Sequence, residues 1–439
     1  MKTFFGTDGI RGKAGKGILS SPKIYELGRA IAQWSSTQND NPAFIIAHDT
    51  RSSSDYIKSA LKSELLFHGI DVYDMGVSPT PSLFYEIKHK KYPYTHGIMI
   101  TASHNPYQDN GLKIINEQGK ISRHDQEAIY ELYLNKDNTR SADQYGHEHH
   151  LKSSETTYAD TLKKICSPHF LRGKKVVLDS GHGATSFIAE SIFAHYGADV
   201  ISLHCNPNGY NINYNCGSTS PEYIQQYVIN HHADIGCAFD GDGDRVILID
   251  RDGSVKDGDD ILCLLSQHPL YNHQQTYIST IMSNQGLDDY ITSQNKKLVK
   301  SPVGDSNVCA YIDTYNACIG AEQSGHIIIK DVIKTGDGIA SALKTCESLF
   351  YNNNWEMRTF EKYPQKVLSL PITEKKPLDK EPIKNILNHA QSLLSRGRIY
   401  PRYSGTESVM RILIEDRNID NIDRISTYLI ESLRFILST

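Results

Sequence analysis

Apolar residues recur along this chain in two rhythms, short continuous runs and positions three or four apart, and the two alternate. Ile24, Leu27, Ile31 and Trp34 fall at helical spacing just after Ser21-Pro22, a plausible start because Pro is accepted in the first turn of a helix. Ala43 to Ala47 is too short a run for a helix and reads as a buried strand; Ile57, Leu61 and Leu65 mark the next helix. Val72 to Met75 is a further strand, closed by Gly76-Val77-Ser78-Pro79-Thr80-Pro81. A second series starts with Lys174 to Asp179 and continues through a helix at Ile188 and Ile192 to strands at Asp234–Phe239 and Val246–Ile249. A third holds Tyr277 to Met282, Lys297 to Lys300, Ile327 to Ile329 and a helix through Ile339, Leu343 and Leu349. Such alternation predicts βαβ layers around mainly parallel sheets, whose ligands gather at the carboxyl ends of the strands.

Two breaks interrupt this rhythm. The stretch from about Asp137 to Ser154 is polar and His-rich (His147, His149, His150) and reads as a solvated linker, since no Cys or carboxylate spacing there supports a metal. From about Tyr363 a smaller unit follows, with strands at Val367–Leu370, Arg398–Tyr400 and Val409–Ile414 and helices at Ile383–Leu394 and Ile419–Leu437. At 439 residues the chain is too long for one ordinary core.

Composition narrows the function. Hydrophobic content of 39% and charged content of 22% describe a soluble globular protein. A net charge of −5 gives no electrostatic footprint for nucleic acid, so anionic ligands need local basic loops. The eight cysteines are scattered without a CxxC pair and read as free thiols in a reducing compartment. No signal-peptide core and no bilayer-length apolar run is present in the sequence, so the expected location is cytoplasmic, with no membrane partner.

Five polar loops carry the chemistry. The apolar run Ile98-Met99-Ile100 ends in Thr101-Ala102-Ser103-His104-Asn105-Pro106, where Pro106 stops a helix and leaves Ser103 displayed on a turn beside His104. Phe5-Gly6-Thr7-Asp8-Gly9-Ile10-Arg11-Gly12 offers a close-approach backbone and one cation. Asp240-Gly241-Asp242-Gly243-Asp244-Arg245 alternates three carboxylates with glycines, an oxygen-only donor set suited to Mg²⁺ or Ca²⁺. The EF-hand pattern fails there, because Arg245 and Arg251 stand where it needs Gly and Glu. Glu322, Ser324 and His326 alternate before Ile327, so an extended segment would put them on one face, suited to a polyol. Arg402-Tyr403-Ser404-Gly405-Thr406-Glu407 has the composition of a phosphate cradle, although no Walker loop occurs. Gly181-His182-Gly183 resembles half a dinucleotide fingerprint, but Ser186 replaces its third Gly and a Rossmann cofactor is discounted.

Taken together and in order, FGTDGIRG, TASHNP, DGDGDR, EQSGH and RYSGTE resemble the α-D-phosphohexomutase superfamily over essentially the whole chain. The resemblance implies four domains around a central cleft, with boundaries here at 1–150, 151–245, 246–362 and 363–439. Three would be related α/β domains with mixed sheets, and the last a smaller α+β domain. It implies an isomerase that moves a phosphoryl group within a hexose phosphate by way of Ser103, phosphorylated in the active enzyme. Asp240, Asp242 and Asp244 match Mg²⁺ ligands, joined by a phosphoserine oxygen at Ser103. Glu322 and Ser324 match the sugar-binding pair, and Arg402, Ser404, Gly405 and Thr406 the grip on the distal phosphate. Arg11, Lys113 and Arg245 match cleft cations; His326 and Lys113 are candidates for proton transfer, with His104 beside the nucleophile. The EQSGH-Ile-Ile run and the early FGTDGIRG favour glucosamine phosphate as substrate, feeding UDP-N-acetylglucosamine synthesis for the cell envelope. Glucose and mannose phosphates are the alternative, and relatives are often homodimers. Thr101, Pro302, Ser306, Ala321, Tyr403 and Ser408 depart from the family pattern.

Overall fold

The computed structural model describes residues 3–6, 8–89, 92–135, 144–151, 154–403 and 408–438. Two compact units emerge, one of residues 1–282 with 296–359 and the other of residues 283–295 with 360–439.

Among the described residues, the first unit holds three sheets. The largest is seven-stranded, running Ile10–Lys13, Asp109–Asn116, His96–Ile100, Ala43–His48, Asp71–Val77 and Glu148–His150, with Gly119–Lys120 beside Asp109–Asn116. Its middle pairs are parallel, while Asp109–Asn116 runs antiparallel to both of its long neighbours. The sheet is therefore mixed rather than mainly parallel. Helix Ser21–Gln38, with Pro22 in its first turn, buries Ile24, Leu27, Ile31 and Trp34. Ile57, Leu61 and Leu65 of helix Ser54–Phe67 join the same core. Each fully buried side chain of this size contributes about 1.5–3 kcal/mol.

The His-rich stretch expected to be a linker carries an edge strand instead. Glu148–His150 pairs in parallel with Asp71–Val77, with Val72 opposite Glu148 and Asp74 opposite His150. Backbone pairing at a sheet edge needs no apolar signature, so composition hid it. Residues 136–143 and 152–153 of that stretch lie outside the described residues.

The second sheet runs Val255–Lys256, Val246–Asp250, Ile235–Phe239, Lys175–Asp179 and Asp199–Leu203. Its acidic turn joins an antiparallel hairpin, with Phe239 opposite Val246. The third runs Lys297–Ser301, Thr276–Thr280, Ile319–Ala321 and Ile327–Ile329. Ile319–Ala321 and Ile327–Ile329 form a hairpin, so Glu322 to His326 is its tight turn rather than an extended segment. Gly325 N donates to Glu322 O at 2.9 Å and Gly325 takes φ +89°, which reverses the chain. Glu322 and His326 are buried and Ser324 is exposed, so alternation does not put the three on one face.

The second unit is a three-stranded antiparallel sheet in the order Gln365–Pro371, Val409–Asp416, Gly397–Tyr403. Ile422, Ile425, Leu429 and Leu433, three or four apart on helix Ile419–Ser438, are buried in its core. Helix Gln285–Ser293 belongs to this unit: Asn284 Nδ2 donates to Tyr363 O at 2.9 Å, and Tyr363 OH to Asp289 Oδ2 at 2.7 Å. Among the described residues, no helix is long and apolar enough to cross a membrane.

Candidate active site

Ser103 stands at the end of strand His96–Ile100, fully buried and in the left-handed region at φ +53°. A non-glycine residue there costs on the order of 1 kcal/mol, and neighbouring structure must hold it. Arg51 does much of the holding. The five N–H groups of its guanidinium donate to Asp49 Oδ2 at 2.8 Å, Ser103 O at 2.8 Å, Asn105 O at 2.8 Å, Asp109 O at 2.9 Å and Pro106 O. Asp49 in turn accepts from Thr101 Oγ1 at 2.6 Å, and Thr101 Oγ1 accepts from Ser103 N at 2.8 Å. Asn213 Nδ2 adds a bond to Ser103 O at 2.8 Å. None of Arg51, Asp49 and Asn213 was singled out from the sequence. Asp49 and Arg51 follow the carboxyl end of Ala43–His48, a position that could have flagged them.

The serine faces the acidic turn. Its hydroxyl donates to Asp240 Oδ2 at 2.6 Å and lies 3.3 Å from His104 Nδ1. Glycine permits the approach, since a Cβ on Gly241 would lie 2.7 Å from Ser103 O. Asp240, Asp242 and Asp244 are all buried, with one oxygen from each within 4.8 Å of the others. Lys113, buried on strand Asp109–Asn116, donates to Asp242 Oδ2 and Asp244 Oδ2, each at 2.7 Å. Thr80 Oγ1 gives Asp242 Oδ2 a further bond at 2.5 Å.

One lysine does not balance three buried carboxylates. Burial, followed by the charges of Asp244 and Asp242, pushes the Asp240 carboxyl well above the usual range. Burial acts the same way on Asp244, but Lys113 and His326 overcome it and hold that group well below. Asp242 Oδ1 and Asp244 Oδ1 are buried without a hydrogen-bond partner. Unpartnered oxygens and a carboxyl short of positive charge fit a hard divalent cation, for which an all-oxygen donor set is suited. A metal is therefore accommodated by Asp240, Asp242 and Asp244 with Ser103 Oγ beside them.

Cations surround this group. Arg11 pairs with Asp8 and reaches Asn105 Oδ1 at 3.5 Å. Its loop depends on Gly9, at φ +82°, where a Cβ would lie 2.2 Å from Leu112 O. Asp8, also missed by sequence reasoning, pairs with Lys120 as well and lies 3.7 Å from Lys113. Lys120 pairs in turn with Asp305, at the start of helix Asp305–Thr314. Arg245 Nε lies 3.8 Å from Asp244 Oδ1. Burial, then Arg245 and Arg11, push His104 down to about 4, so it is neutral at pH 7.

His326 is buried with Nδ1 3.7 Å from Asp244 Oδ1, while Nε2 accepts from Gly336 N at 3.1 Å. Burial opposes its protonation, but Asp244, Asp305 and Glu322 hold its pKa above the ordinary value. Glu322 Oε1 accepts from Gly304 N at 2.9 Å. Thus Ser103, His104, Lys113, Arg11, Arg245, His326 and the three aspartates come together in the first unit, with Glu322 close by. Arg402 is exposed on strand Gly397–Tyr403 of the second unit, opposite Arg411, and Ser404, Gly405 and Thr406 lie outside the described residues.

A hydroxyl against a buried metal-ready carboxylate cluster, ringed by cations, is a constellation for phosphoryl transfer. Comparison with known proteins agrees. Residues 2–140, 156–253 and 257–363 match the models for phosphoglucomutase/phosphomannomutase alpha/beta/alpha domains I, II and III respectively. The phosphoglucosamine mutase of Sulfurovum sp. (strain NBC37-1) is 36% identical, over 95% of each chain. That of Thermus thermophilus is 37% identical over 94% of each. A crystal structure of a phosphoglucomutase/phosphomannomutase family protein from Burkholderia thailandensis shares the fold at TM-score 0.83 and 22% identity, covering 98% of this chain and 97% of that one. The Aspergillus fumigatus N-acetylphosphoglucosamine mutase, solved with GlcNAc-6P and magnesium, superposes at TM-score 0.69 and 15% identity, covering 99% and 96%. Near-full-length likeness to these mutases, with the serine and acidic turns meeting as phosphoryl transfer requires, makes this chain a member of the α-D-phosphohexomutase superfamily.

Proposed function

We propose that this enzyme interconverts glucosamine 6-phosphate and glucosamine 1-phosphate through a phosphoryl group carried on Ser103. The observation that carries the reading is the approach of the Ser103 hydroxyl to within 2.6 Å of Asp240 Oδ2, inside a buried triad of carboxylates. Phosphate monoesters are among the slowest bonds to hydrolyse, so the site must supply large transition-state stabilisation. Mg²⁺ held by Asp240, Asp242 and Asp244 would neutralise charge on the transferring group. Lys113, Arg11 and Arg245 add fixed positive charge around it, and they cost no reorganisation during the reaction.

In the forward direction the Ser103–phosphoryl bond breaks as the sugar's anomeric hydroxyl oxygen takes the phosphoryl group. The proton of that hydroxyl passes to a base, for which His326 is the candidate, because Lys113 is held as an ammonium between Asp242 and Asp244, and the serine oxygen regains a proton. The product is glucosamine 1,6-bisphosphate, which turns over in the site. Transfer of its 6-phosphoryl group back to Ser103 releases glucosamine 1-phosphate and restores the phosphoenzyme. His104, neutral and 3.3 Å from Ser103 Oγ, steadies the serine oxygen without competing for the phosphoryl group as a cation. Glu322 and Ser324 are assigned the sugar hydroxyls, and Arg402, Ser404, Gly405 and Thr406 the distal phosphate.

Support for glucosamine comes from the named relatives at 36–37% identity. Turnover of the 6-phosphates of glucosamine, glucose and mannose by the phosphorylated enzyme tests it. The expected result is a kcat/KM for glucosamine 6-phosphate at least about tenfold above the others, a difference of about 1.4 kcal/mol in transition-state binding. Faster turnover of glucose or mannose 6-phosphate would make the enzyme a phosphoglucomutase/phosphomannomutase of the same mechanism.

A further inference from the structure

A second group of metal-ligating side chains lies behind the serine turn, apart from the acidic triad. Asp179 ends strand Lys175–Asp179, His204 follows strand Asp199–Leu203, and Cys216 closes the loop after it. One donor atom from each lies within 4.8 Å of the others. Asp179 and Cys216 are fully buried. His182, on the turn after Asp179, sets its ring 5.2 Å from that of His204. The two turns are locked, His182 N donating to His204 O at 2.6 Å and Gly217 N to Asp179 Oδ2 at 3.1 Å.

One ring nitrogen here has no protein partner, and the other faces a carboxylate. His204 Nδ1 pairs with Asp179 Oδ2 at 3.1 Å, whereas His182 Nδ1 is buried without a hydrogen-bond partner. A buried polar atom left unsatisfied by protein groups marks a place for an ordered water or an ion. Imidazole, thiolate and carboxylate together form the donor set of zinc, whereas the oxygen-only triad suits a harder ion.

We propose that Asp179, His204 and Cys216, with His182 as a fourth donor, bind a zinc-class divalent ion. Binding forms a metal–sulfur bond and releases the Cys216 thiol proton to solvent. The loop clamped by such an ion carries Asn213, which donates to Ser103 O at 2.8 Å and Asn105 O at 3.1 Å. The ion would therefore fix the back wall of the serine turn.

Cobalt(II) titration of the chelator-treated full chain tests the site, because a thiolate ligand gives a near-ultraviolet charge-transfer band that carboxylate ligands cannot. The expected result is one equivalent of this band, displaced by zinc, absent in Cys216→Ser and retained in Asp240→Asn. Cobalt affinity should fall by at least about tenfold in His204→Gln, a variant at a partly exposed position that keeps the buried thiol. Absence of the band at saturating cobalt in the folded wild-type chain would overturn the proposal. So would an unchanged band in either Cys216→Ser or His204→Gln.

Discussion

Arg51→Met is the substitution that most sharply separates the serine turn's scaffold from its chemistry. Arg51 and Asp49 have side chains fully shielded from solvent. Methionine keeps most of the volume but removes all five guanidinium bonds, leaving the Asp49 carboxylate and the Ser103, Asn105, Pro106 and Asp109 carbonyls short of a donor. Breaking a buried ion pair from one side costs about 3–5 kcal/mol. Thr101 Oγ1 and Arg51 N still reach Asp49, which places the expected loss toward the lower end, about 3 kcal/mol. Ser103 also loses much of what holds it at φ +53°, so kcat should fall by more than stability alone explains. Chemical denaturation by linear extrapolation measures the first effect, and kcat at a temperature where the variant is fully folded measures the second. Arg51→Lys, which keeps the charge but not the planar fork, should recover only part of either. A loss below about 1 kcal/mol with unchanged kcat would refute the assigned role.

Other consequences follow from the same geometry. Lys113→Met should lower kcat by about 10²–10³, with the metal-free protein losing stability that added Mg²⁺ partly restores, as read by steady-state kinetics and thermal unfolding. Glu347, buried on helix Gly338–Asn352, accepts from His268 Nε2 at 3.0 Å, Lys344 Nζ at 2.9 Å and Ser167 N at 2.6 Å. Burial opposes its ionisation, but these donors hold its pKa down at about 2 against an ordinary 4.5. The carboxylate therefore contributes stability of about 3 kcal/mol above pH 4.5, lost as pH falls toward 2; Glu347→Gln should show a cost at pH 7 that shrinks by pH 3 in parallel denaturation curves. Gly9→Ala should displace the Arg11 loop, because its Cβ would meet Leu112 O at 2.2 Å, and a rise in substrate KM with a fall in kcat would register it.

Periodicity made most of the fold legible. The helical spacing of Ile24 to Trp34 and the five-residue apolar runs correspond to elements found close to where they were expected. Loop chemistry likewise pointed to Ser103 and the three aspartates, because charge and flexibility at a strand end have few structural excuses. What stayed hidden depends on tertiary reach. Arg51 looks like any loop arginine until the chain folds and brings four carbonyls around it. The edge strand Glu148–His150 has no apolar pattern, since one face of its pairing is solvent. Alternation of Glu322, Ser324 and His326 suggested an extended segment, but the left-handed Gly325 between them made a turn. Helix Gln285–Ser293 sits in sequence within the third series yet belongs to the compact unit of the C-terminal sheet, a partition that depends on contacts such as Asn284 with Tyr363.

The proposed passage of a phosphoryl group from Ser103 to the sugar is open to a direct test. Enzyme phosphorylated with a radiolabel, mixed with glucosamine 6-phosphate and quenched within a single turnover, tests this directly. Label should leave a peptide containing Ser103 and appear first in the bisphosphate, and Ser103→Ala should neither take up label nor turn over. Label that stays on the protein during turnover, or a Ser103→Ala enzyme that still isomerises the sugar phosphate, would contradict it.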